Sequence, residues 1–155
     1  MSGPRIRRLF ADYKNVLDVF NRHPYIRLLA VEGKPPEKYT FEFHVTGLVP
    51  AGEDGFAVGK VHRAEVILPL DYPRRPPFCR MTTPVYHPNI DPQKICIGDH
   101  WSAGQSLAHL VTRIGEMICY QSYNVQSPLN AKAAAWAAQN VEKLPLEKVD
   151  LTAGL

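Results

Sequence analysis

Apolar periodicity that runs helical, then alternating, then helical again predicts an α+β fold. The expected order is an N-terminal helix, a four-stranded antiparallel meander, an ordered loop and two C-terminal helices. Three observations carry this: an apolar stripe over residues 6–20, strict alternation over 39–46, and a second helical stripe after Trp101. The chain has 155 residues, 45% hydrophobic and 21% charged, which suits one globular domain spanning 1–155.

The first helix is read from Ile6, Leu9, Phe10, Tyr13, Leu17 and Phe20, spaced to fall on one face, with Arg7, Arg8 and Lys14 on or beside the wet side. Pro24 ends it, because proline cannot continue the hydrogen-bond ladder. Residues 25–32 are β-rich, and "GKPPEK" is the turn that follows. In "YTFEFHVT", Tyr39, Phe41, Phe43 and Val45 alternate with polar neighbours, as in a half-buried strand. A loop holding Gly52, Glu53, Asp54 and Gly55 leads to a third strand near 62–70, with Ala64, Val66, Leu68 and Leu70 on one face. After "DYPRRPP", residues 78–82 form a fourth. Short connectors between successive strands favour antiparallel neighbours.

Leu107, Leu110, Val111, Ile114, Met117 and Ile118 mark the next helix. Asn130 has the character of an N-cap before the alanine-rich "AKAAAWAAQN". The tail, 144–155, mixes charge with Pro145 and Gly154 and carries no structural prediction.

Charge and composition exclude several roles. Arg5, Arg7, Arg8 and Lys14 against Asp12 account for the whole net charge of +3, so the remainder of the chain balances. A duplex-binding surface would spread its basic residues over a face, and none is expected here. No apolar run approaches the roughly 20 residues of a membrane span. "MSGPRIRRLF" has no secretion-signal core, and Cys79, Cys96 and Cys119 form no close pair. Both point to a reducing, cytoplasmic setting.

The stretch "YHPNIDPQKICIGDHW", 86–101, concentrates the chemistry in a loop that is long and too apolar to hang free in water. Cys96 could be a metal ligand with Cys79, His87, His100 and Cys119, a thiol activated by His87 or His100, a buried apolar residue, or a nucleophile. Structural zinc sites use closely spaced pairs such as C-x-x-C, which are missing, so no metal is expected. No hydrolase signature accompanies a Cys–His pair. Burial is the common fate of a thiol and the expected one for Cys79 and Cys119.

The combination "DYPRRPPFCRMTTPVYHPNI", then a cysteine, then "WS", then "YNVQSPLN" resembles the ubiquitin-conjugating enzymes over residues 1 to about 140. The motif residues are Tyr72, Pro73, Pro76 and Pro77, then Thr83, Tyr86, His87, Pro88, Asn89 and Ile90. The resemblance implies a UBC-like fold in which Cys96 accepts a ubiquitin-like protein from an activating enzyme as a thioester and passes it to an amine of a target protein. It implies that Asn89 orders the loop and stabilises the tetrahedral oxyanion, with His87 as loop support. Arg5, Arg7, Arg8 and Lys14 would dock the activating enzyme. No cofactor is implied, and ATP would be used by the partner.

The pattern also departs from the family's. Ile97-Gly98 follows the cysteine in place of Leu-Asp, and the interval to Trp101 is short. Ser127 stands where an aspartate often orients the incoming lysine. Arg74 and Ser102-Ala103-Gly104 replace residues commonly gripped by RING-type ligases, so the ligase is left open. These departures suggest a divergent, prokaryotic-type member. The competing reading is a non-catalytic module of the same fold that binds a ubiquitin-like protein or another conjugation partner.

Overall fold

In the computed structural model, which describes residues 3–97 and 101–155, α1 (Pro4–Phe20) is followed by six strands and two further helices. The strands are β1 (Ile26–Gly33), β2 (Pro36–Phe43), β3 (Gly47–Ala51), β4 (Gly55–Gly59), β5 (His62–Ile67) and β6 (Phe78–Met81). The helices are α2 (Leu107–Ile118) and α3 (Ala131–Gln139). One antiparallel sheet runs β1-β2-β5-β6, and β3 and β4 form a separate hairpin.

The alternation in β2 works as expected: Tyr39, Phe41 and Phe43 point inward, while Thr40 and Glu42 face out. Ala64 and Val66 of β5 and Cys79 and Met81 of β6 extend the inner face. All six residues of the α2 stripe are buried against it. Ser106 caps α2 by accepting from the His109 N–H at 3.1 Å, and Asn130 caps α3 through the Ala133 N–H at 3.0 Å.

Three expectations change. The segment read as a loop around Gly52–Gly55 is the turn of the β3–β4 hairpin. β4 is exposed and β3 is buried only at Gly47 and Leu48, so neither five-residue strand gives an apolar alternation to detect. The third strand stops at Ile67, and Leu70 lies beyond it at 87% exposure. In α1, Phe10 and Leu17 are 56% and 41% exposed, while Asp12, Val16 and Val19 are buried. The helix is rotated because Asp12 finds partners inside. Its carboxylate accepts from the Tyr72 hydroxyl at 2.5 Å and from Arg8 at 3.0 Å, so the interior charge is paired.

The tail is ordered along the surface. Leu146 N–H donates to the Cys119 carbonyl at 2.9 Å, the Gln121 amide donates to the carbonyls of Glu147 and Val149, and Glu147 accepts from both N–H and hydroxyl of Thr46. Leu151 is buried, and its carbonyl receives His23 Nε2–H at 2.9 Å.

Candidate active site

The loop carrying Cys96 has almost no regular structure, yet each residue from 86 to 89 is tied to a distant part of the chain, three of them to the 120–124 stretch. Tyr86 N–H donates to Leu48 and its carbonyl accepts from the Tyr120 hydroxyl at 2.5 Å. His87 is buried, with Nδ1 accepting from the Asn89 N–H at 3.0 Å and Nε2–H donating to Ser122 at 3.1 Å. The Pro88 carbonyl receives the N–H groups of Leu129 and Asn130. Asn89 closes a two-bond ring with Asn124: Nδ2–H to the carbonyl at 2.9 Å, and the Asn124 N–H to Oδ1 at 2.8 Å. Buried backbone groups are thereby satisfied without helix or sheet.

The arm that carries Cys96 is held equally firmly. Ile95 N–H donates to Cys79 of β6 at 2.8 Å, and Cys96 N–H donates to the Asn89 carbonyl at 2.9 Å. Ile95 and Ile97 are buried and Cys96 between them is exposed, as extended backbone requires of successive side chains. The turn at the loop's tip is held by Asp91 Oδ1, which accepts from the N–H groups of Gln93 and Lys94.

The three cysteines now separate. Cys79 and Cys119 are buried, and burial pushes their thiols up to about 12 and about 11. Cys96 alone is exposed. Burial pushes His87 down to about 4, and both its ring nitrogens are occupied, so it has no free lone pair to take a proton from Cys96. It builds the loop. Among the described residues, no three His, Cys, Asp or Glu side chains gather at one point. His100 lies outside the described residues, as does Gly98.

Ser127 is exposed, with φ +52°, on the loop that Asn89 anchors through Asn124. Its hydroxyl makes no hydrogen bond to the described residues. The basic residues of α1 divide into two pairs. Arg5 donates to the Pro69 carbonyl at 3.0 Å and pairs with Glu37. Arg8 is drawn inward and corrects its placement beside the wet face: besides Asp12, it bonds the Tyr72 hydroxyl, Gln105 at 2.6 Å and the Ala103 carbonyl. Arg7 and Lys14 are exposed.

Sequence reasoning missed Tyr120, Ser122 and Asn124, which hold the loop from behind. Two of them act through backbone atoms, which carry no residue signal. Tyr120 leaves α2 at φ +62°, where a glycine would be the usual cue.

The family model described as ubiquitin-conjugating enzyme matches residues 28–150. This chain belongs to the ubiquitin-conjugating enzyme family. It is 28% identical over 144 residues to ubiquitin-conjugating enzyme E2 3 of Arabidopsis thaliana, covering 90% of this chain and 89% of that one. It is 32% identical over 115 residues to ubiquitin-conjugating enzyme E2 N of Drosophila melanogaster, covering 71% and 74%. A crystal structure described as a ubiquitin conjugating enzyme from Plasmodium yoelii superposes with a TM-score of 0.63 at 19% identity, over 92% of this chain and 88% of that one, and shows the shared fold. For a conjugating-enzyme chain, the exposed cysteine beside a fully bonded H-P-N loop is the feature on which activity would turn.

Proposed function

We propose that this family member accepts a ubiquitin-like protein from an activating enzyme as a thioester on Cys96 and transfers it to an amine of a target protein. The observation that supports this most is the exposure of Cys96, alone among the three cysteines, on a loop held at both arms. In loading, the Cys96 thiolate attacks the modifier's C-terminal carbonyl and the activating enzyme's thiolate leaves. In transfer, the neutral amine attacks the Cys96 thioester, the C–N bond forms, the C–S bond breaks, and a proton passes to solvent. An ordinary thiol is already a few per cent ionised near neutrality, so no adjacent base is required. Asn89 supports transfer in two ways: its bonded amide N–H and carbonyl fix the loop, and its second Nδ2–H remains for the oxyanion. Arg7, Lys14 and the exposed Phe10 and Leu17 offer the activating enzyme a mixed basic and apolar face, with Arg5 and Arg8 fixing the helix behind it. The setting is cytoplasmic. Neighbouring genes for an activating enzyme and a ubiquitin-like protein would mark a prokaryotic-type conjugation system.

The test mixes the protein with a matched activating enzyme, ubiquitin-like protein and ATP. A reductant-sensitive adduct is expected on wild type, a reductant-resistant oxyester on Cys96→Ser, and none on Cys96→Ala. An adduct that persists on Cys96→Ala overturns the assignment, and the absence of any adduct on wild type favours the non-catalytic binding module. Asn89→Ala should slow discharge to an amine by roughly 10²-fold, more than it slows loading. Ser127→Asp should speed discharge to free lysine, because a carboxylate there favours capture of the cationic amine.

A further inference from the structure

Residues 144–151 lie as a strap across the end of α2, and no step of the conjugation reaction described so far uses them. Three bonds fix the strap to the residues that leave the helix. Leu146 N–H donates to the Cys119 carbonyl at 2.9 Å, and the Gln121 side-chain amide donates to the carbonyls of Glu147 at 3.0 Å and Val149 at 2.8 Å. One amide thus commits both of its N–H groups to strap backbone. Glu147 is also held by Thr46, whose N–H and hydroxyl donate to Oε1 at 2.7 and 2.6 Å. Further along, Leu151 is buried beside Gly115 in the middle of α2. A Cβ on that glycine would sit 3.1 Å from Leu151 Cδ1 and 3.4 Å from Ile26 Cδ1 and Phe43 Cδ2. Glycine inside a helix is destabilising, and here it opens the notch that seats the strap.

The stretch that the strap clamps is the one that holds the Cys96 loop from behind. It carries the Tyr120 hydroxyl on Tyr86, the Ser122 carbonyl on His87 and the Asn124 peptide on Asn89. Asn89 depends on it most, because both bonds of its side-chain amide go to Asn124. Asn124 is exposed and lies beyond the end of α2 at Ile118. A side chain is no better placed than the backbone it bonds. On the helix side that backbone is tied by the N–H groups of Gln121 and Ser122, which share the Glu116 carbonyl at 2.8 and 3.1 Å. The strap supplies an independent attachment at the same residues. A turn of this stretch would re-aim Asn89 and leave Cys96 in place, since the neighbouring Ile95 N–H is bonded to Cys79 of β6.

Resting on the conjugating activity proposed above, we infer that Gln121 is a positioning residue for the transfer step: by gripping the strap it fixes the 119–124 stretch and so aims the second Nδ2–H of Asn89 at the oxyanion. Gln121 touches no reactant and acts through Asn124 and Asn89 alone. Loading, which leans less on Asn89, is spared.

Gln121→Met, which keeps the side chain's length and removes both donors, tests this in single-turnover discharge from preloaded protein to free lysine. The maximal rate should fall about fivefold, while the lysine concentration at half-maximal rate and the rate of loading stay at wild-type values. Added to Asn89→Ala, the same substitution should slow discharge no further, because the two residues act in series. Leu151→Ala, which empties the notch at Gly115, should reproduce the effect from the strap side. Val66→Ala, a core truncation in β5, should lower Tm at least as far without it. Additive slowing on Asn89→Ala, or equal slowing in Val66→Ala, overturns the inference. A second arm needs no modifier. Amide NMR of the unloaded full chain should show displaced Asn89 side-chain NH2 signals in Gln121→Met and roughly tenfold faster hydrogen exchange at the Asn124 N–H, with neither change in Val66→Ala. Unchanged Asn89 and Asn124 signals overturn the role of Gln121 even if Cys96 loads. Displaced signals in a protein whose Cys96 fails to load strike the proposed activity and leave the coupling of strap to loop standing.

Discussion

The Cys96 loop and the β3–β4 hairpin are neighbours built on opposite principles. The hairpin has regular pairing from Gly47↔Gly59 to Ala51↔Gly55 and buries Leu48, yet β4 is exposed along nearly its whole length and is held mainly by Phe56 and by the Gly59 carbonyl that His62 bonds. The loop has almost no repeating structure, yet residues 86–89 each bond groups distant in sequence, on 120–124, at Leu48 and at Leu129–Asn130, and its Ile90, Ile95 and His87 side chains are buried. Rigidity here follows from how many distant groups are satisfied, and regular backbone alone does not supply it. Cys96, the exposed cysteine, sits on the rigid, irregular element. The regular hairpin beside it is anchored on the β3 side, through Leu48, and exposed on the β4 side.

That contrast breaks at His87 first. His87→Ala removes a buried ring and leaves the Ser122 carbonyl and Asn89 N–H without partners, so unfolding free energy should fall by about 3 kcal/mol by denaturant titration. A loss no greater than that of a surface substitution would mean the loop's bonds are redundant. Acid should act through the same residue. The unfolded chain takes up a proton on this histidine near 6.5, but the folded chain only near 4. Stability should therefore be unaffected by it above about 6.5 and decline as pH falls from there to about 4, by at most roughly 3 kcal/mol. The decline should be smaller in His87→Gln by the His87 share. His62, also pushed down by burial, adds in the same direction.

The hairpin should respond less. Phe56→Ala costs about 1 kcal/mol through lost ring contacts, visible as a drop of a few degrees in Tm, with loading of Cys96 retained. Asp54→Asn, at an exposed ion pair, should leave Tm within experimental scatter. If Phe56→Ala proves as damaging as His87→Ala, the two regions form one cooperative unit and the distinction drawn between them fails.

Much of this was legible from residues alone, for a physical reason that can be named in each case. Tyr39, Phe41 and Phe43, and the stripe from Leu107 to Ile118, are periodic because a sheet face and a helix face must meet. The capping roles of Asn130 and the motif cluster around His87 and Asn89 are local chemistry written in side chains. The rotation of α1 was not legible. Whether Asp12 faces in or out depends on Tyr72 and Arg8, and Tyr72 lies 60 residues away. The hairpin was hidden by its own exposure, and the ordered tail because its bonds are largely made by backbone carbonyls and N–H groups.

The amino-acid order determined which elements form, which family pattern they follow and that Cys96 is the cysteine in the motif, since periodicity and motif are properties of neighbouring residues. Only the tertiary structure decided that Cys96 is exposed on a loop bonded to distant segments, that Arg8 belongs to the interior, and that Asp12 faces inward. Those outcomes depend on which distant backbone groups and side chains come together, and a linear pattern does not contain that information.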